Sequence, residues 1–398
     1  MRFLAAFDKF KDALSAREVC SLARSVLEDS ILGAEVFESP MTDGGEGFSE
    51  ILTHALGGRF SSFSASGPLG ETVQAEVGFV DLEAVPEKAR KLASFPLSGE
   101  LAVIEMASVA GLQKVPVDSR DPWRTSSTGV GQVFTQVLKK GVSAILLGIG
   151  GSATNDLGLG ALHSLGLRFL DSKGNDVGEP IPCKWPQISS ISGEVPTMPP
   201  ISIACDVENT LCGANGATFV YGPQKGLEFE DLSRMDDLAR RISRLLADKF
   251  GKDPSAANEP RAGAAGGMGF GIKTAFDARF VSGFELVSAW LGLEEKILKS
   301  DVVLSGEGRF DASSLDGKGP ALLLEMAQRR GKRVFLIAGS IQDDLGPVLK
   351  VRIPGLKTFS VSCPDLPLSE NLQRSREFFE QTLRNIVQDE GWPLLQAR

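Results

Sequence analysis

Residues 141–160 read GVSAILLGIGGSATNDLGLG, and this stretch decides how the rest of the chain is read. The apolar run Ile145-Leu146-Leu147 ends in Gly148, Gly150 and Gly151, after which Ser152, Thr154, Asn155 and Asp156 crowd the mouth of a predicted helix. A buried strand, a turn stripped of side chains and a helix N-terminus are the parts with which open α/β sheets hold phosphate or carboxylate. Glycine lets a ligand approach the main chain, and the first turn of a helix carries N–H groups without intrahelical partners. The stretch therefore predicts a site for a small anionic substrate.

The same pattern of strand, glycine-and-acid loop and helix recurs on both sides. Residues 2–7 read as a buried strand leading into Asp8-Lys9-Phe10-Lys11-Asp12, and Ser15 with Glu18 has capping-box spacing before a helical run of Val19, Leu22, Ala23, Val26 and Leu27. A strand near 34–38 leads to Met41-Thr42-Asp43-Gly44-Gly45-Glu46-Gly47, and residues 59–64 and 72–80 flank the turn Gly67-Pro68-Leu69-Gly70 as a hairpin would. Downstream, 201–205 delivers Asp206 to a strand end, and 301–305 delivers Gly306-Glu307-Gly308-Arg309. A long amphipathic helix is predicted over 231–250, others over 320–330 and 370–388, and a strand over 333–338. Residues 81–98 and the proline-rich 178–200 read as surface excursions, and 262–271 is too glycine-dense for an ordinary helix interior. This alternation predicts an α/β protein whose ligand lies where strand ends converge.

Composition narrows the function. A chain of 398 residues predicts two or three cooperating units. A net charge of −9 argues against nucleic acid as a partner. Five cysteines without CxxC spacing indicate neither a disulfide framework nor a zinc site, which fits a reducing cytoplasm. The N-terminus does not read as a signal peptide, and no run approaches the roughly 18 apolar residues of a membrane span. His54 and His163 are the only histidines, too few for a histidine-based metal site or triad.

The motifs leave alternatives open. Gly148, Gly150 and Ala153 satisfy a relaxed G-x-G-x-x-A dinucleotide pattern, with Asp171 about 20 residues on, so a nicotinamide-dependent oxidoreductase of small hydroxy acids competes. Asp156, standing where a pyrophosphate would lie, speaks against it. No G-x-x-x-x-G-K-[ST] occurs, so ATP would not be held as in P-loop enzymes. Any one of Ser152, Thr154 and Asn155 could be a helix cap, but one helix needs one cap. Asp8, Asp43, Glu46, Asp156, Asp206, Glu307 and Asp311 all follow predicted strands, where acids can hold Mg²⁺ through oxygen or accept a hydroxyl proton. Lys9, Lys11, Arg124, Arg309 and Lys318 are candidates to neutralise phosphate or carboxylate.

Taken in order, these loops resemble the bacterial type I glycerate kinase family over nearly the whole chain. The carriers are residues 8–12, 41–47, 67–70, 105–107, 148–156, 204–207, Gly222-Pro223-Gln224-Lys225-Gly226, 263–267 and 306–309. Lys9, Thr128 and Ser313-Ser314 depart from the family's usual Ser, Tyr and Gln-Thr. The resemblance implies ATP-dependent phosphorylation of D-glycerate at the 2-hydroxyl, giving 2-phosphoglycerate and ADP. It also implies a flavodoxin-like parallel-sheet domain, 1–65 with 290–398, into which a restriction-endonuclease-like α/β domain, 66–289, is inserted, with the active site in the cleft between them. On that reading Asp8, Gly44, Gly45, Gly150, Gly151, Ser152, Thr154, Asn155, Gly306 and Lys318 bind substrate or nucleotide. Asp206 or Asp156 accepts the hydroxyl proton, Lys11 and Arg309 bind carboxylate or phosphate, and Asp43 and Glu46 stand near Mg²⁺. The partners are then glycerate and ATP, without nucleic acid or membrane, in a monomer or homodimer. A non-catalytic binding protein for small acids is the third reading.

Overall fold

Both ends of the chain feed one five-stranded parallel sheet. In a computed structural model that describes residues 1–394 except 43, 316 and 318, its order is Lys357–Ser360, Arg333–Ala338, Val302–Gly306, Arg2–Phe7, Glu35–Glu38. The central strands are buried along nearly their whole length, which is why they read as apolar runs rather than as alternating ones. Phe7 and Phe10 meet Phe379 edge-on, closing one face with the helices Ala16–Ser30 and Ser375–Asp389. The capping box is present: the Ser15 hydroxyl accepts from Glu18 N while the Glu18 carboxylate accepts from Ser15 N. Phe7 sits in register with Gly306, so the loops carrying Asp8 and Gly306 leave the sheet side by side.

A second compact unit spans 44–286, the first being 1–43 with 287–398. Its six-stranded sheet runs Arg279–Val281, Ile201–Ala204, Ala144–Gly148, Glu100–Glu105, Thr72–Asp81, Arg59–Ser66; the first four are parallel and the last two complete an antiparallel edge. The hairpin expected around residues 67–70 is that edge.

The units divide at 43/44 and 286/287, not at 65/66 and 289/290. The helix Phe48–Ala55 and the strand Arg59–Ser66 are built into the second sheet: Ser49 Oγ donates to Val103 O and accepts from Gly78 N, and 59–66 pairs along its whole length. Neither expected excursion is only surface. Val85, Ala89, Ala93 and Phe95 are buried within 81–98, and the 178–200 segment seats a fully buried Trp185 and pairs its strand Ser190–Gly193 with Leu167–Leu170. The glycine-dense stretch enters the helix Met268–Phe276, since a Cβ at Gly271 would stand 2.0 Å from Leu157 O and only glycine permits that approach. Among the described residues no helix is long and apolar enough to cross a membrane.

Candidate active site

The strand Ala144–Gly148 lies between Glu100–Glu105 and Ile201–Ala204, with Gly148 opposite both Glu105 and Ala204. At its end two glycine loops touch. Gly150 N donates to Gly44 O at 3.0 Å, and a Cβ at Gly150 would stand 2.7 Å from Gly45 Cα. A Cβ at Gly148 would meet Phe48 and Gly44 O, while Gly44 itself packs on Ala204 O. At Gly44, Gly45 and Gly150 loop packs on loop, which by itself accounts for the absence of a side chain there. Gly151 is different: it is exposed, has φ +70, and a Cβ there would make only ordinary contacts, 3.4 Å from Ala107 Cβ and 3.9 Å from Glu46 Oε1. Among the described residues, the N–H groups of Gly151 and Ser152 donate to no main-chain carbonyl.

Beyond Gly151 the chain does not enter a helix. Ser152 bridges to Gly111, Ala153 N donates to Ala110 O, and the helix Leu159–Ser164 begins only later and is six residues long. The N-cap is Gly158, so Ser152, Thr154 and Asn155 are not its caps. Asp156 stands two residues before that cap. Its carboxylate accepts from Ser127 N (2.8 Å), Ser127 Oγ (2.7 Å), Gly158 N (3.2 Å) and Gly160 N (3.2 Å), tying the loop to the helix start and to Ser127. Burial raises its pKa, and the bonds from Ser127 and the glycine amides oppose that rise. A buried carboxylate with four donors on it holds the loop together, so Asp156 has a structural task whatever part it takes in proton transfer.

Lys225, within the Gly222–Gly226 stretch of the loop resemblance, is a further residue at this site. Its ammonium lies under the central loop, with Nζ 2.9 Å from Ser152 Oγ and 2.6 Å from Thr154 O, and the residue is 2% exposed. Burial pushes its pKa down to about 7, while the charge of Asp156 pulls the other way. The one signal in the sequence is its setting, a lysine held between Pro223 and Gly226 in a tight turn. Asn155 Nδ2 donates to Thr218 Oγ1, joining the same segment to the loop. Thr128 donates to Glu179 at 2.6 Å. Asp206, half-buried, accepts from Ser282 Oγ and from Phe284 N, both at 2.8 Å, and so holds the start of the helix Gly283–Leu291. Glu46 stands near Gly151, with Oε1 3.9 Å from where a Cβ on that glycine would lie.

The first unit gathers its own group. Asp8 N donates to Gly306 O at 3.0 Å, and Gly308 N donates to Lys9 O, so Asp8, Lys11, Gly306 and Arg309 share one sheet edge. Asp8 is buried; Lys11 is exposed, and the Arg309 side chain is 75% exposed beside Asp311. Gly306 is required by packing, since a Cβ there would stand 1.7 Å from Ile337 O. Asp43 and Lys318 lie outside the described residues. Among the described residues no three His, Cys, Asp or Glu side chains gather as a metal site.

The dinucleotide reading fails on this geometry. Its motif needs a glycine turn running directly into a helix, and here the turn runs into a bridge with Gly111. Asp171 only closes a turn, accepting from Lys173 N and Asn175 N.

A model of the glycerate kinase family matches residues 3–389. The chain belongs to this family. It is 36% identical to a glycerate 2-kinase of Escherichia coli strain K12 and 34% identical to a glycerate kinase of Bacillus subtilis strain 168, in each case over 97% of both chains. It also resembles a solved structure from Salmonella typhimurium LT2, described as a glycerate kinase 2, with a TM-score of 0.74, 33% identity and 98% of both chains covered. The chain is thus an enzyme of a kinase family with a mixed α/β fold of parallel sheets and helices.

Proposed function

We propose that the protein transfers the γ-phosphoryl group of ATP to the 2-hydroxyl of D-glycerate, giving 2-phosphoglycerate and ADP. The observation that carries this reading is the family match over nearly the entire chain, with a relative of equal extent named a glycerate 2-kinase. The central loop supports it physically. Phosphoryl transfer asks chiefly for positioning and for neutralising charge on oxygen. The N–H groups of Gly151 and Ser152 suit an anionic oxygen, and no P-loop is present to do that work instead. Lys11 and Arg309 supply positive charge for carboxylate or phosphate, and Asp8, at the start of the loop that bears Lys11, contributes to holding substrate or nucleotide.

Mg²⁺ in phosphoryl-transfer sites takes one or two protein carboxylates and completes its shell with water and phosphate oxygens. The donor set fits: Glu46 is a carboxylate at the central loop, and Asp43 is its expected companion. The ion, when bound, neutralises charge on the phosphates. The reading carries the family's architecture with it, a flavodoxin-like unit holding a restriction-endonuclease-like one, and a cytoplasmic enzyme acting as monomer or homodimer.

The test is an assay coupling ADP release to a chromophore, run with D-glycerate and related hydroxy acids, with and without Mg²⁺, followed by phosphorus NMR of the product. The expected result is ADP formation only with acid and Mg²⁺ present, and a phosphomonoester at carbon 2. Binding of glycerate with no ATP consumed would instead establish a non-catalytic binding protein, and a 3-phosphate would overturn the regiochemistry.

A further inference from the structure

Phosphoryl transfer to an alcohol needs a group that takes the hydroxyl proton, and both expected acids are already engaged: Asp156 by four donors, Asp206 by Ser282 and Phe284. Ser152 has a different neighbour. Lys225 Nζ faces two neutral oxygens, Ser152 Oγ and Thr154 O, and makes no ion pair with a carboxylate among the described residues. A lysine that only braced a loop would remain charged and take a carboxylate partner, because an unpaired buried ammonium is expensive.

The surroundings fix that placement. Arg120 Nη1 donates to Gln224 O, and a Cβ on Gly226 would stand 2.1 Å from Arg120 O, so the turn bearing Lys225 is pressed against the 111–127 segment. Thr154 O can only accept, so an N–H of Nζ points at it. A neutral amine then keeps a lone pair for the Ser152 hydroxyl. Ser152 lies beside exposed Gly151, at the point where the N–H groups of both residues donate to no carbonyl.

We propose that Ser152 and Lys225 act as a proton-relay dyad that deprotonates the acceptor hydroxyl. The proposal rests on the phosphotransfer reading above. The acceptor O–H bond breaks as its proton passes to Ser152 Oγ, while the Ser152 proton passes to Lys225 Nζ. The freed oxygen pair forms the O–P bond to the γ-phosphorus, and the bond from that phosphorus to the β,γ-bridging oxygen breaks, its pair leaving with ADP. The Lys225 ammonium then returns a proton to solvent. Serine and lysine within hydrogen-bond reach are a known way of activating an oxygen without histidine.

The relay requires the neutral amine. Burial brings Lys225 down to about 7, so turnover is expected to rise with pH through that region and to fall below it. The charge that acts on it is that of Asp156 on the central loop, whose field favours the ammonium; Arg120 on the 111–127 segment donates to Gln224 O of the same turn.

The experiment uses the full chain, with wild type first. Acid-dependent ADP formation establishes the phosphotransfer reading by itself; its absence overturns that reading and the dyad with it, a result distinct from a loss confined to variants. Ser152→Ala and Lys225→Met are then expected to lower kcat by about a hundredfold to ten-thousandfold. KM for ATP and for the acid should change less than about threefold, and the wild-type acid limb near pH 7 should vanish. Lys225→Arg, which keeps the charge and can still brace the loop, should not rescue. The proposal is overturned if either variant keeps kcat within about threefold at pH 8, if the limb survives in Lys225→Met, if arginine restores turnover, or if ATP alone leaves phosphate on Ser152. Should Lys225→Met melt early, Ser152→Ala decides, because it leaves the bond from Lys225 to Thr154 O in place.

Discussion

The loops after the strands Ala144–Gly148 and Val302–Gly306 look alike in sequence, each a glycine run with acids behind a buried strand, yet they are opposite in construction. In the first, Ser152, Thr154, Asn155 and Asp156 are all buried, and Lys225, Ser127 and Thr218 reach in to hold them. At the second, and in the loop after Arg2–Phe7 that leaves the sheet beside it, the acid Asp8 is buried but the cations stand in solvent: Lys11 is exposed and, among the described residues, Arg309 pairs only with Asp311 along its own loop. One loop is preorganised, with its dipoles fixed before a ligand arrives, which is the arrangement that acts most strongly on developing charge. The other carries solvent-exposed charge, suited to attracting an anion. Substitutions should therefore damage the first loop through the fold and the second through binding.

The largest expected effect is at Asp156. Asp156→Ala removes the acceptor of three main-chain N–H groups and one hydroxyl, and a buried donor left unsatisfied costs about 1–3 kcal/mol. A loss of about 4 kcal/mol in urea unfolding is expected, at the severe end for point changes. A variant as stable as wild type would mean the first loop is not held the way its hydrogen bonds say. Next comes a pair of glycines. Gly306→Ala drives a methyl to 1.7 Å from the carbonyl of Ile337, which the parallel sheet cannot yield, so a loss of about 3 kcal/mol is expected. Gly151→Ala has room and meets only the positive φ of its backbone, a cost of about 1 kcal/mol. The reverse ranking would make Gly151 the packing residue and Gly306 the open one.

The contrast also shows what the sequence could reveal. Strands such as 144–148 and 302–306, buried along their length, were legible from apolar runs bounded by glycine, and the 15–18 capping box from its spacing alone. The unit boundary was not, because 48–66 reads equally well as the end of one sheet or the start of another; only pairing with 72–81 decides. Glycine loops gave the location of chemistry but not the reason for each glycine, since packing on Gly45 and baring a backbone to a ligand leave the same letter at 150. Lys225 was hidden for a related reason: nothing in Gly222-Pro223-Gln224-Lys225-Gly226 says that this lysine is buried 71 residues from its acceptor on Thr154.

The smallest effects should come from the exposed cations, and their pattern is the sharpest check on the contrast. Lys11→Ala and Arg309→Ala remove charges that face water, where an attraction across about 4 Å is worth only about 1 kcal/mol, so KM for an anionic substrate should rise about fivefold, with the melting temperature unchanged. Because such charges are screened over about 8 Å at physiological salt, the difference between wild type and either variant should shrink as salt is raised toward 1 M. The kcat loss of Ser152→Ala should not shrink, since Ser152 and Lys225 are buried and exchange a proton at contact. If salt erased both defects alike, or neither, the two loops would not differ in the way their burial indicates, and Lys11 and Arg309 would have to be counted as part of the fixed machinery rather than as its charged approach.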